Sequence, residues 1–429
     1  MKKMVSVLLI VLMIMAMFSG CAPEPDTMRI CLDVGAMGAG NPVPAEQVMQ
    51  EFLSTIVLMG GPEDVILEIV PAGGSERTMA LKRLRTEIMA GEGPDLFIVT
   101  CGGGPYENKG DALFPIPEKA MKSGLFLPLD EYIENAQYME WDKQIPAIMD
   151  AGRDEYGQQI IPLAYTLPVT FCRAEEYLEK PSAETTWQDM VEDGGMLSVA
   201  ATGPYDDSYG FQRFNFLEYA LGELADYDEE KLLFTEEELL QRTTEMLSLW
   251  DRYENDAFSQ VPNFYQSRIT ESMFYMADTN GIGKEEERRM IPIYSDDGGT
   301  TVSVAAFAAI NANTTYPEDA FFVLDLLMSR SYQQKFDLYR DYLCKFCAVP
   351  VDEDLLHQSA PIEDFYLTDI NYQEYVRVRD QIQHVRFRGG LDLVLKDMLD
   401  DCVEAQNNQR NYTAIVSEYY RKMERMLGE

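Results

Sequence analysis

Leu81-Lys82-Arg83-Leu84-Arg85-Thr86-Glu87-Ile88-Met89-Ala90-Gly91-Glu92-Gly93-Pro94-Asp95-Leu96-Phe97-Ile98-Val99-Thr100 reads as a helix, an abrupt stop and a strand. Leu81, Leu84 and Ile88 recur at the three- and four-residue spacing of one helical face, so a helix over residues 76–90 packs that face inward. Gly91 stands where helices commonly end in a left-handed residue, a conformation glycine adopts without steric cost. Residues 96–100 form a short apolar run bounded by turn residues, which predicts a buried strand. A helix feeding a strand apolar on both faces is the pattern of a helix-covered parallel sheet.

The flanking chain repeats the pattern. Residues 28–34 predict a strand, 35–44 a glycine-rich loop, 45–59 a helix and 65–70 another buried strand. A second α/β unit is expected later. Residues 196–201 are read as its first strand, and Thr235 opens a helix with Glu238 placed for a capping box. That helix aligns Leu239, Thr243, Met246, Leu247 and Trp250 along one stripe. Strands are predicted over 272–277 and 301–310, and Pro317 starts a helix whose residues 318–328 are apolar nearly all round, hence buried. The last helix carries Tyr412, Ile415, Val416, Tyr419, Tyr420, Met423 and Leu427 on one core-packing face. No internal repeat or long low-complexity segment is evident.

The N-terminus has a different logic. Met1-Lys2-Lys3 precedes a predominantly apolar run over residues 4–18 and then Ser19-Gly20-Cys21, the layout of a secretory signal peptide. The apolar run is shorter than the ~20 residues that span a bilayer. Ser-Gly-Cys resembles the bacterial lipobox, with Phe18 where an aliphatic residue is usual. That resemblance implies cleavage before Cys21, lipidation of its thiol and an extracytoplasmic protein tethered to the membrane. The proline-rich residues 22–27 suit a short extended tether.

Without Lys2 and Lys3 the chain carries 33 basic against 73 acidic residues, a net charge of −40. This excludes nucleic acid and anionic surfaces as partners, since both need clustered Lys and Arg. The dispersed acidic residues favour solubility, and 46% hydrophobic residues support a large core divided into two or three domains. Besides Cys21, cysteines stand at 31, 101, 172, 344, 347 and 402, too scattered for a disulfide framework. Cys344-Lys345-Phe346-Cys347 has redox-dithiol spacing in a context without a thioredoxin-type strand and helix, so a structural disulfide or two unrelated thiols is expected.

Ala90-Gly91-Glu92-Gly93-Pro94-Asp95 before a buried strand resembles the extracellular solute-binding proteins, family 1, of ABC importers, whose commonest ligands are sugars and oligosaccharides. Further matches follow in the family's order: Leu127-Pro128-Leu129-Asp130, Tyr156-Gly157 with Ile161-Pro162, Thr186-Trp187-Gln188-Asp189-Met190 and Pro317-Glu318-Asp319-Ala320-Phe321. Their order spans residues 28–340. At Val169-Thr170-Phe171-Cys172-Arg173 the family often has Tyr-Tyr-Asn-Lys; Phe171 keeps the aromatic while Cys172 and Arg173 replace the amide and lysine, so no sugar identity carries over.

The resemblance implies an α/β, two-lobed periplasmic-binding-protein-like fold (type II) with a hinge and a ligand cleft between the lobes. The expected division is residues 1–20 signal peptide, 21–27 tether, 28–163 plus 305–345 lobe 1, and 164–304 plus 346–429 lobe 2 with the C-terminal helices. Candidate ligand contacts lie on loops after strands: Asn41 after the first, and Gly102, Gly103 and Tyr106 after the third, where glycine admits a sugar to the backbone and tyrosine stacks on it. Tyr165 follows the first expected lobe crossing, either lining the cleft or packing as a hinge aromatic. Tyr205 and Asp206 in the second lobe, with Asp278 and Asn280, offer carboxylates and an amide to sugar hydroxyls. Each of these loop residues reads equally as solvated. Trp187 and Trp250, on helices, read as core.

Enzyme readings have less material. The histidines are His357 and His384, and no G-x-S-x-G or P-loop occurs. Asp226, Asp228, Glu230 and Glu237 imitate EF-hand spacing, but Lys231 stands where that loop needs glycine. Acidic pairs for glycoside hydrolysis arise by chance among 73 acidic residues. The expectation is a lipid-anchored, monomeric, non-catalytic binding subunit of an ABC importer, partnered by permease subunits, with no cofactor and no metal. Its ligand is a carbohydrate or another small polar solute. A tethered glycan-processing enzyme and a binding protein feeding a sensor kinase are the alternatives.

Overall fold

A computed structural model describes residues 27–34, 44–101, 112–167, 169–173, 179–202, 217–253, 288–335, 342–343, 349–355 and 369–428. In chain order the strands are β1 (Met28–Asp33), β2 (Val65–Ile69), β3 (Leu96–Thr100), β4 (Arg153–Asp154), β5 (Gly157–Gln158), β6 (Ile160–Thr166), β7 (Val169–Arg173), β8 (Ala225–Asp226), β9 (Lys231–Leu232), β10 (Arg288–Pro292), β11 (Thr300–Ile310), β12 (Val349–Pro350) and β13 (Ile382–Phe387). The main sheet has the order β12-β6-β11-β3-β1-β2, with β13 beside β11. β1 runs parallel to both β2 and β3, and the helices Ala45–Leu58 and Gly74–Met89 make the crossovers that parallel pairing requires. β11 is antiparallel to β3 and β6 through residues 306–310 and parallel to β13 through residues 300–304.

The stretch that predicted this sheet is pinned at both ends. Gly91 and Gly93 have φ of 78° and 106°, and the Glu92 N–H reaches back to the Glu87 carbonyl at 3.0 Å, closing the helix as expected. Asp95 then accepts from the Arg29 N–H at 2.7 Å and from the Thr314 hydroxyl at 2.6 Å. The Asn311 amide donates to the Pro94 carbonyl at 3.0 Å. One aspartate thereby aligns the start of β1, the start of β3 and the turn after β11.

The helix Pro317–Leu327 packs beside β11 with Ala320, Phe321, Val323, Leu324, Leu326 and Leu327 buried. Asp325 is buried on the same helix. Its carboxylate accepts the backbone N–H groups of Gln137 at 2.7 Å and Met139 at 2.7 Å, which offsets the cost of removing it from water.

A second core gathers Trp187, Met190, Leu239, Met246, Trp250, Leu395, Met398, Val416, Met423 and Leu427. Its long helices are Glu236–Tyr253, Gly390–Asn407 and Thr413–Gly428. The Thr235 capping box forms as predicted: the Thr235 N–H donates to Glu238 at 2.7 Å and the Glu238 N–H to the Thr235 hydroxyl at 3.2 Å.

Two expectations are corrected. Residues 196–201, read as a strand, belong to the helix Met196–Thr202. Asp193 accepts from the N–H groups of Gly195 and Leu197 at 2.9 and 3.1 Å, capping the helix start, and a short apolar run does not by itself separate strand from buried helix. The strand predicted over 272–277 lies outside the described residues. The second correction concerns the lobe boundary. Although residues 346–429 were expected in lobe 2, β12 and β13 pair with β6 and β11, and Tyr375 and Val378 join the first core. The second core takes the chain back from Leu391. The reason is the length of β11, whose first half extends beyond its pairing with β3 and β6 and offers β13 an edge.

Three stretches of chain consequently join the two cores: from Val169 in β7 to Trp187, from Tyr294 to Val302 in β11, and from Phe387 at the end of β13 to Leu391 in the helix Gly390–Asn407. Asp95→Ala should lower unfolding free energy by about 1–3 kcal/mol, because it strands the Arg29 N–H and the Thr314 hydroxyl. Urea denaturation followed by circular dichroism measures this, and an unchanged midpoint would remove Asp95 from its aligning role.

Candidate functional site

β1 and β3 end side by side at Asp33 and Thr100, at the carboxyl edge where open α/β sheets bind ligands. Asp33 is fully buried and held in a bidentate pair by Arg77, whose Nη1 and Nη2 donate at 2.7 and 2.9 Å. Nη1 also reaches the Pro71 carbonyl at 3.1 Å, and the Thr100 hydroxyl donates to the Asp33 carbonyl at 3.3 Å. This makes a stiff floor from which the chain departs toward residues 35–43 and 102–111.

The predicted contacts divide sharply. Asn41, Gly102, Gly103, Tyr106, Tyr205, Asp206, Asp278, Asn280 and the lipidation residue Cys21 lie outside the described residues, as do His357, Cys344 and Cys347. Tyr165 lies within them, on β6. It is fully buried, with its hydroxyl 2.6 Å from that of Tyr375. Burial, reinforced by this neighbour, raises the Tyr165 pKa. In this conformation Tyr165 is packed within the first core.

Beside Tyr165, the junction of the cores is polar. The Tyr219 hydroxyl, from the second core, lies 3.3 Å from the Thr166 hydroxyl, and the Thr301 hydroxyl donates to the Tyr219 carbonyl at 3.1 Å. The Thr166 hydroxyl donates to the Ser303 carbonyl at 3.3 Å. The Arg386 guanidinium stands over the Tyr219 ring at 5.8 Å, a cation–π distance. None of these was singled out from sequence. The available signal was weak: Thr301 and Ser303 are polar residues two apart in the strand and hence on one face, ahead of its apolar second half.

Ser295, Asp297 and His384 come together, but the Ser295 hydroxyl donates to Asp297 Oδ1 at 2.8 Å and the His384 Nε2 meets that same oxygen at 3.0 Å. Serine and histidine share one carboxylate instead of contacting each other, so the imidazole is not placed to take the serine proton. Burial pushes the Asp297 pKa up, but the Ser295 and His384 bonds outweigh it and hold that pKa below the usual carboxylate value.

Trp187 and Trp250 are core, as expected, and Trp187 Nε1 donates to Glu245 at 2.9 Å. The acidic loop with EF-hand-like spacing is a turn between β8 and β9, closed by Asp226 Oδ1 accepting the Asp228 and Glu229 N–H groups, each at 2.9 Å. Among the described residues no cluster of His, Cys, Asp and Glu is arranged to hold a metal ion, and Cys31, Cys101 and Cys402 are buried. Also among them, no helix is long and apolar enough to cross a membrane.

No protein-family model matches the sequence, and no curated protein matches it. Solved structures do. A periplasmic oligogalacturonide-binding protein from Yersinia enterocolitica is 16% identical, with 94% of this chain and 99% of that chain covered and a TM-score of 0.56. An extracellular solute-binding protein family 1 from Alicyclobacillus acidocaldarius subsp. acidocaldarius DSM 446 is 13% identical over 94% and 98%, with a TM-score of 0.54. The ABC substrate-binding protein Lmo0181 from Listeria monocytogenes, in complex with cycloalternan, is 12% identical over 94% and 98%, with a TM-score of 0.53. The fold is therefore that of the two-lobed sugar-binding proteins, as the motif order implied.

The Tyr165 and Tyr375 hydroxyls should act as a unit. Tyr165→Phe and Tyr375→Phe should each cost roughly 1 kcal/mol, and the double variant clearly less than their sum. Equilibrium unfolding of the four proteins of this cycle checks the coupling; strict additivity would contradict it.

Proposed function

We propose that this chain, built on the two-lobed solute-binding fold, is the lipid-anchored extracytoplasmic binding subunit of an ABC importer. It captures a carbohydrate or another small polar solute between its lobes and hands it to a membrane permease. Two packed cores joined by three crossings, with the carboxyl ends of β1 and β3 set beside the junction, support this reading most directly. A two-lobed protein of this kind responds to ligand by shifting between open and closed lobes, a change that a permease can sense. The shared carboxylate of Ser295 and His384 favours binding over hydrolysis.

In this reading Asn41, Gly102, Gly103 and Tyr106 contact the ligand from the first lobe, and Tyr205, Asp206, Asp278 and Asn280 from the second. Tyr165 acts through the hinge. The subunit is a monomer that needs no cofactor, and tethering at Cys21 keeps it near its permease at high effective concentration.

Purified protein incubated with a panel of mono- and oligosaccharides should show saturable thermal stabilisation by at least one member without turnover. Product formation from any glycan would refute a purely binding role. Tyr106→Ala should weaken the stabilising sugar roughly tenfold by loss of stacking, read by calorimetry; unchanged affinity would remove Tyr106 from the cleft. Cys21→Ala should release the protein from the membrane fraction and leave affinity unchanged.

A further inference from the structure

Strands β1, β2 and β3 are parallel and start at one end of the sheet, so the helices that connect them must return to that end. The helix Ala45–Leu58 finishes there ahead of β2, and the helix Gly74–Met89 ahead of β3. Val65 opens β2 beside Met28, and the Asp95 N–H donates to the Arg29 carbonyl at 2.8 Å. Both helix ends and the first residues of all three strands therefore share one rim of the first lobe, opposite the carboxyl edge of β1 and β3.

This rim exposes apolar side chains. Of the nine large hydrophobic residues exposed among the described residues, five lie on it: Val57, Leu58, Met59, Ile66 and Met89. Leu58 and Met89 are each 86% exposed. The crossovers run in opposite directions across the sheet, so their right-handed sense puts the two helices on opposite faces. Leu58 and Met89 thus stand on either side of the sheet edge, an arrangement that fits a flat partner better than a groove.

The chain ahead of the rim indicates what that partner is. Six residue steps separate Cys21 from Thr27, and fully extended they reach no more than about 20 Å. A lipid on Cys21 therefore confines the start of β1 to that distance from the bilayer. Tethering has then already met the entropic cost of association, so an apolar contact too weak to recruit a free protein can set its orientation.

We propose that this rim is a lipid-docking surface, with Leu58, Met59 and Met89 entering the interface of a neutral phospholipid bilayer. The proposal rests on the lipid-anchor reading and adds an orientation to it: the carboxyl ends of β1 and β3 point away from the membrane, open to solute. Removal of apolar side chains from water drives the contact. Charge does not assist it, because Glu63, Asp64 and Glu92 are exposed on the same rim, and Arg29 and Arg83 are engaged by Glu68 and Glu87. Anionic headgroups repel such a rim, in keeping with the acidity of the whole chain.

The test uses the native lipidated chain, carrying carbon-13 at its methionine methyls, in phosphatidylcholine nanodiscs doped with a nitroxide-headgroup lipid. Single Met→Leu variants assign the signals. Met79 is the internal control: it is also exposed, on the same helix as Met89 but about 15 Å along the axis toward the opposite end. The Met59 and Met89 signals should broaden several-fold more than that of Met79. Leu58→Asp combined with Met89→Asp should relieve the broadening at Met59 while the protein stays on the nanodisc, and both positions are exposed enough to spare the fold. Replacing part of the phosphatidylcholine by phosphatidylglycerol should lessen the broadening in low salt. Equal broadening at Met79 and Met89, or none at either, would overturn the orientation. Concentration-dependent shifts of the Met89 signal without lipid would overturn it in favour of a second copy of the chain. The intact mass of the membrane-extracted protein reads the anchor separately. A chain without lipid on Cys21 overturns the anchor and this proposal together, whereas a lipidated chain with unselective broadening overturns the orientation alone.

Discussion

Strand β11, eleven residues long, is the constraint on which the rest of the molecule depends. Through residues 306–310 it is hydrogen-bonded on both edges, by β3 and by β6, so it cannot slide without breaking both ladders. Ala306, Ala308 and Ala309 are fully buried, and small side chains let neighbouring elements approach closely. Its first half runs on to pair with β13 and to meet Tyr219 of the second core. One continuous strand therefore carries both the rigid floor of the first lobe and the edge of the hinge.

That continuity explains why the polar groups of the protein collect where they do. Buried hydroxyls and charges need partners, and the interior of an apolar sheet supplies few. The junction supplies more, because strand ends and crossings leave backbone groups unpaired by ladders. Thr166 and Thr301 are hydrogen-bonded to Tyr219 there and Arg386 stands over its ring, while Asp33 and Arg77 close the neighbouring strand end. Such a junction fixes polar side chains from both cores side by side.

The overall acidity of the chain gains a local meaning as well. Its net charge of −38 reads as general solubility, but Asp228 and Glu230 face Lys122 and Lys119 across the two lobes. Charge that is anonymous in composition becomes specific once the fold selects which few residues face a partner.

Periodicity in the sequence was sufficient for the first sheet: β1, β2, β3 and β11 and their helices fall where apolar spacing, Gly91 and Pro317 place them. These signals are local, each decided by neighbours within a turn or two of chain. The capping box at Thr235 was legible for the same reason. The run over residues 196–201 was misread because its length and apolarity suit a buried strand and a buried helix alike, and the capping role of Asp193 emerges only from geometry. Of the proposed ligand contacts, sequence supplied positions on loops after strands, and the one on a described strand, Tyr165, proved to be buried against Tyr375, 210 residues away in the chain. The assignment of β12 and β13 to the first core and the meeting of Thr166 with Tyr219 were decided by tertiary structure alone. Each joins residues distant in sequence, and no local spacing records which distant residue a folded chain will bring opposite.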